Sequence, residues 1–109
     1  MMTFEEAKQV FEAMEASSLD SLRRDLVSAA VRYAGMRVEW ALADLADRPR
    51  MDVARTAAHD ALIDACNILS RNMARAGEDN RWRARLGDDR KAIGDFACYL
   101  HALLGIRAR

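Results

Sequence analysis

Two aspartates one helical turn apart, Asp60 and Asp64, are the residues whose type and spacing come nearest to a chemical site. They begin a polar stripe in RTAAHDALIDACNILSR that continues at helical spacing through Asn67 and Arg71. Because like charges at this spacing mildly destabilise a helix, such a pair can be retained for a divalent cation or a basic partner. Asp95 could join them if two polar helix faces meet. The alternative interpretation is a solvated helix face.

The histidines and cysteines form a second group of candidate ligands. His59 and Cys66 are two turns apart on one predicted helix. That separation of about 10 Å is too large for one zinc ion, whose ligands lie about 2.0–2.3 Å from the metal. Cys98 and His101 could supply two ligands of an incomplete site. Since His59 shares its stripe with apolar residues, we expect it at the margin of the core. For the chain as a whole, we predict no catalytic residue, bound metal or cofactor.

A third candidate is the connector RNMARAGEDNRWRARLGDD, in which arginines surround Trp82. Arg81, Arg83 and Arg85 beside an aromatic ring are suited to phosphate contact and base stacking. Four acids in the same stretch offset most of its five arginines, so nucleic-acid binding through Arg81–Arg85 is only an alternative function. The other interpretation is a lid whose tryptophan packs on the rest of the protein while its arginines pair with acids, for example those of the first helix.

Composition limits the class of protein. The chain has 109 residues, 17 basic and 17 acidic, and a formal net charge of zero. Such a chain has no overall field to attract nucleic acid or an anionic membrane, and its self-association is weakly opposed. The length predicts a single domain over 1–109. Two cysteines, no basic leader and no long apolar run predict a cytoplasmic protein with reduced thiols and no membrane contact.

Helical periodicity and helix-end signals predict an all-α fold, a four-helix bundle with a short extra helix in the connector before the last helix. Thr3 and Glu6 form a capping box, Pro49 suits a first helical turn, and Gly77 is a typical helix stop. The expected helices are 4–16, a second from the serines at 17–18 to 46, 50–76, 80–86, and a last one from the aspartates at 88–89 to about 105.

The second predicted helix carries two apolar stripes, whereas an ordinary surface helix needs one. The first follows alternating three- and four-residue steps through Leu19, Leu22, Leu26, Ala29, Tyr33, Met36 and Trp40. The second comprises Val27, Val31, Ala34, Val38, Ala41 and Leu45. This helix is therefore either central in the bundle or paired across a subunit interface. We predict a homodimer whose interface residues are Leu19, Leu22, Leu26, Tyr33 and Trp40.

The second half of the chain, ALIDACNILSRNMARAGEDNRWRARLGDDRKAIGDFACYLHALLGIRAR, resembles a small bacterial family of all-helical proteins, a domain of unknown function. The resemblance implies no catalytic residue, because that family has no assigned activity. It implies that Asp88, Asp89, Arg90 and Asp95 order the connector. A likeness to all-helical nucleotide pyrophosphohydrolases is limited to size and class, since Gln9 stands where their third acidic ligand is expected.

These observations favour a non-enzymatic protein that acts through protein–protein association, most simply with a second copy of itself. The first alternative is a divalent-cation-dependent, phosphohydrolase-like enzyme or sensor that uses Asp60 and Asp64. The sequence leaves open any small-molecule ligand, and it does not say which apolar stripe is core.

Overall fold

The computed structural model describes residues 2–107, and within them the chain is helical with no strand. The helices are α1 Phe4–Glu15, α2 Asp20–Leu42, α3 Arg48–Arg75, α4 Trp82–Leu86 and α5 Arg90–Arg107. The all-α class predicted from the sequence is confirmed. Helices α2 and α3 form a long antiparallel hairpin, α5 packs along α2, and α1 packs on α4 and α5. The molecule is elongated, with principal extents of 48 × 29 × 25 Å.

Three helix starts follow signals that lie within one turn of them. Thr3 Oγ1 accepts a hydrogen bond from Glu6 N at 3.1 Å and caps α1. Pro49 lies in the first turn of α3, where its missing N–H costs nothing. Asp89 Oδ2 accepts from Ala92 N at 3.0 Å at the start of α5. These bonds satisfy backbone N–H groups that have no partner within their own helix.

Helix α2 ends at Leu42, earlier than the predicted residue 46. Arg48 of α3 reaches back and donates from Nε to Trp40 O and from Nη2 to Ala41 O, both at 3.2 Å. Because the last carbonyls of a helix lack helical partners, a cation placed here satisfies them and interacts favourably with the helix dipole. The end of α2 is therefore set by a contact from another helix, which periodicity cannot reveal.

Helix α3 ends as predicted, before a glycine in the left-handed region. Gly77 has φ +74°, and Glu78 N donates to Met73 O at 2.8 Å, which is a Schellman closure. The Glu78 carboxylate then accepts from Ser17 Oγ at 2.7 Å, and from Ser18 N and Ser18 Oγ at 2.9 and 2.7 Å. The serines predicted to cap α2 instead join the α1–α2 connection to the end of α3.

The first apolar stripe of α2, which was predicted as a subunit interface, packs largely within the single chain. Leu26 and Tyr33 are fully buried within one chain, and Leu19 and Leu22 are half-buried. The Tyr33 ring meets the imidazole of His59 on α3 edge to face, with centroids 5.4 Å apart. Leu26 and Tyr33 are therefore not accessible to a second copy of the folded chain.

The residues of the second stripe of α2 differ in their exposure to solvent along the helix. Ala34 is buried in its middle, whereas Val27 and Val31 are half-buried beside an open groove between α1, α2 and α5. Towards the end of the hairpin, Val38 and then Leu45 are exposed. The uncovered apolar surface at this end therefore comes from Val38 and Leu45 of the second stripe and from Leu42, which belongs to neither stripe.

Candidate functional site

The predicted acidic residues lie apart from one another. Asp60 and Asp64 are exposed on α3, and Asp64 lines a shallow groove together with Asp25 of α2. Asp95 lies on α5, where its Oδ1 is 3.8 Å from Arg37 Nη1. Within residues 2–107 no three His, Cys, Asp or Glu side chains are arranged to hold a metal ion. The three predicted acids therefore do not converge on one site.

Arg37, which the sequence did not single out, is the residue that positions Asp95. Its guanidinium crosses α5 at Gly94, where a Cβ atom would lie 2.5 Å from Arg37 Cζ. Its Nη1 also donates to Cys98 Sγ at 3.3 Å. By contrast, a Cβ at Gly35 would meet nothing within 4 Å, so Gly35 is not a point of close helix approach. Gly94 was the one signal in the sequence for this contact.

Asn67 and Arg71, the polar residues that follow the acidic pair, have separate surroundings. The guanidinium of Arg83 donates from Nε to Asn67 Oδ1 at 2.8 Å, from Nη1 to Gly87 O at 2.9 Å and from Nη2 to Asp88 Oδ1 at 2.6 Å. Arg71 is exposed. Asn67 and Asp88 thus hold Arg83, and through it the connector, against α3.

The connector packs on the bundle in the manner of the predicted lid. Trp82 is fully buried, and its Nε1 donates to Met73 Sδ at 3.2 Å. Arg81 Nη2 lies 2.7 Å from Asp79 Oδ2; hydrogen bonds from Arg81 lower the pKa of Asp79 to about 2, and the same bonds raise the pKa of Arg81. The acids that pair with Arg81 and Arg83 are Asp79 and Asp88, which belong to the connector itself and not to the first helix. The tryptophan that base stacking would need is inside the protein.

The histidines and cysteines occupy packing or isolated positions. His59 is mostly buried, and its Nδ1 lies 3.1 Å from Asp60 Oδ1. Burial raises the pKa of the Cys66 thiol to about 12, so at neutral pH it is neither a nucleophile nor a good metal ligand. Cys98 is half-buried and His101 exposed on α5. No third ligand joins these two among the described residues.

The far end of the α2–α3 hairpin is the least covered apolar part of the described structure. Four side chains, the hairpin-end residues, lie there with exposed fractions of 51%, 81%, 76% and 79%: Val38, Leu42, Leu45 and Val53. Val38 and Leu42 are one turn apart on α2, Leu45 lies in the connection, and Val53 is in the second turn of α3. Other large exposed apolar side chains are dispersed on α1, α3 and α5: Phe4, Ile68 and Ile106.

The hairpin end is held in shape by contacts within its own chain. The guanidinium carbons of Arg48 and Arg55 lie 4.3 and 4.1 Å from the centroid of the Trp40 ring. Arg55 Nη2 is in turn 3.2 Å from Asp52 Oδ1. Cation–π contacts of this kind, partly shielded from water, are favourable. Trp40, predicted as an interface residue, is therefore covered by arginines, and it fixes the end on which the hairpin-end residues are displayed.

Comparison with known proteins gives no relative: no family model matches the chain, and no curated protein or solved structure matches it. The resemblance of the second half to a bacterial family thus stays a prediction. In the part of the chain that the structure describes, no helix has both the length and the apolar character needed to cross a membrane.

Proposed function

We propose that this chain is a cytoplasmic, non-enzymatic four-helix bundle, formed by α1, α2, α3 and α5, that acts by associating with a second copy of itself. The observation that carries the proposal is the exposure of the hairpin-end residues. They lie at an end of the hairpin where Arg48 and Arg55 pack over the Trp40 ring. Zero formal net charge means that long-range repulsion does not oppose contact between copies. Contact of this surface with itself would close as a two-fold dimer.

The hairpin-end residues support a weak dimer. Burying one exposed Val or Leu side chain contributes about 1.5–3 kcal/mol, which corresponds to roughly 60–120 Å² of apolar area. Four such side chains fall short of the roughly 800 Å² per partner found in stable interfaces. We therefore expect reversible association in the micromolar range, in which each apolar side chain has a large relative effect.

Replacing Leu42 by glutamate tests the proposed surface. Leu42 is 81% exposed in the single chain, so the replacement removes little from the fold of the monomer. Because each copy of the chain contributes one Leu42 to a two-fold dimer, the replacement removes two leucine side chains from the interface. At about 1.5–3 kcal/mol each, the dissociation constant should rise by about 10²–10⁴-fold. Sedimentation velocity over a concentration series measures that change.

Ile106→Glu is the matched control. Ile106 is also an exposed apolar residue, 63% accessible, and like Leu42 it lies in the last turn of a helix. A glutamate at either position therefore has the same unfavourable interaction with the helix dipole. The control variant should keep the wild-type association. Equal association of wild type, Leu42→Glu and Ile106→Glu would contradict the assignment of the surface, with circular dichroism confirming that all three are folded.

A further inference from the structure

A second apolar surface, separate from the hairpin end, is the groove between α1, α2 and α5. Its volume is about 430 Å³, within the range of about 300–1,000 Å³ typical of small-molecule sites. Apolar side chains from all three helices line it: Phe11 and Met14 of α1, Val27 and Val31 of α2, and Leu104 of α5. The groove is thus formed by the tertiary fold and is not a feature of one helix.

The charged residues beside the groove leave an excess of positive charge. Glu15 is neutralised by Arg107, whose Nη1 and Nη2 lie 3.0 and 3.3 Å from its carboxylate oxygens. Arg23 pairs with Asp20 and donates from Nη1 to Glu15 O at 3.1 Å, but its Nε is buried with no hydrogen-bond partner within residues 2–107. Arg24 is exposed and forms no ion pair with any described residue. The groove therefore offers the guanidinium of Arg24 as a cationic donor for an anion.

Arg24 and the apolar residue Val31 lie on a single face of α2, with Ser28 between them. Arg24, Ser28 and Val31 are separated by four and three residues, the spacing at which helical side chains are neighbours. The rise from Arg24 to Val31 is about 10 Å. A straight apolar chain lying along this face would have its head group beside Arg24 and its tail beside Val31 and Leu104.

We propose that this groove binds an amphipathic carboxylate, a molecule with one ionised carboxyl group and an unbranched aliphatic tail. The tail packs against the apolar lining, and the head group accepts hydrogen bonds from Arg24. An ionised acceptor makes stronger hydrogen bonds to a guanidinium than a neutral one does. The proposal concerns a site that the dimer does not use, so it goes beyond the proposed function.

Decanoate, below its critical micelle concentration, is the probe. We expect it to shift the methyl NMR signals of Val27, Val31 and Leu104 in the full-length chain and to saturate them. The same tail with a trimethylammonium head should bind several-fold more weakly, because the cation meets Arg24. The alcohol 1-decanol reports the contribution of the tail alone.

Two pairs of variants separate the head-group and tail contacts. Arg24→Gln should weaken decanoate binding about threefold to fivefold, as expected for one exposed ion pair, and leave 1-decanol unchanged. Arg32→Gln, an exposed arginine of α2 that does not line the groove, should change neither. Ser28→Trp fills the groove from an exposed position and should abolish the methyl shifts, whereas Ser21→Trp outside it should keep them.

Three outcomes would overturn the proposal. The first is no methyl shift at submillimolar decanoate, and the second is equal loss in Arg24→Gln and Arg32→Gln. The third is a set of shifts at Val38 and Leu42 in place of the groove methyls. Repeating the titration in Leu42→Glu separates the two proposals, since that variant should lose self-association and keep decanoate binding.

Discussion

Replacing Trp82 by alanine should destabilise the fold by about 3–5 kcal/mol. Trp82 is fully buried in α4, a helix of only five residues, and its Nε1–H donates to Met73 Sδ. An aromatic side chain of this kind buries roughly 150–250 Å², which at about 25 cal/mol per Å² corresponds to about 4–6 kcal/mol as an upper bound. The loss is a large fraction of the 5–15 kcal/mol typical of a domain.

Urea unfolding followed by circular dichroism measures this loss, with Trp82→Phe as the graded control. Phenylalanine keeps a ring in the cavity but loses the N–H donor, so it should cost only about 1–2 kcal/mol and stay folded. Oligonucleotide binding, if any is measured, should be the same for wild type and Trp82→Phe. A cost below about 1 kcal/mol for Trp82→Ala, with loss of oligonucleotide binding, would refute the packed connector and favour a stacking role.

Three further predictions concern single residues, and in each the local structure determines the direction of the expected change in stability or reactivity. Hydrogen bonds from Ser17 and Ser18 lower the pKa of Glu78 below its ordinary 4.5, so their stabilisation is present above that pH and lost as the pH falls through the folded-state pKa. Urea unfolding from about pH 7 to pH 3 should therefore show a deficit in Glu78→Gln that shrinks on acidification, and a constant deficit would disprove the linkage. Gly77→Ala should cost about 1 kcal/mol because of its φ of +74°, whereas Gly35→Ala should stabilise by about 0.8–1 kcal/mol since its Cβ meets nothing; melting temperatures that move the same way would contradict this. Brief treatment of the native protein with iodoacetamide should leave Cys66 unlabelled in mass spectrometry, and rapid labelling there would show that it is accessible.

The features that could be predicted from the sequence act within about one helical turn. The Thr3 cap, Pro49 in a first turn and the Gly77 stop each depend on backbone atoms a few residues away, so their signals are complete in a short stretch. Arg48 at the end of α2 and Glu78 on the serines were not predictable in this way. Each joins elements whose proximity is set by the tertiary fold.

Deciding which α2 stripe is buried and which is exposed also required knowledge of the tertiary fold. Both stripes have helical spacing and similar side chains, so periodicity alone ranks them equally. Leu26 and Tyr33 of the first stripe are buried in the fold, whereas Val38 and Leu45 of the second lie at the uncovered end of the hairpin. The predicted grouping of Asp64 and Asp95 depended on the tertiary fold in the same way: Asp64 is exposed on α3, whereas Asp95 of α5 lies beside Arg37 of α2.

Sedimentation equilibrium of the wild-type chain, from about 1 μM to several hundred μM at physiological salt, tests the central claim most directly. The proposed dimer predicts a mean mass that rises reversibly with concentration from the 12.2 kDa of one chain towards twice that value. It also predicts that Leu42→Glu stays at the mass of one chain over the same range. A wild-type mass that remains that of a single chain at the highest concentrations would contradict the claim.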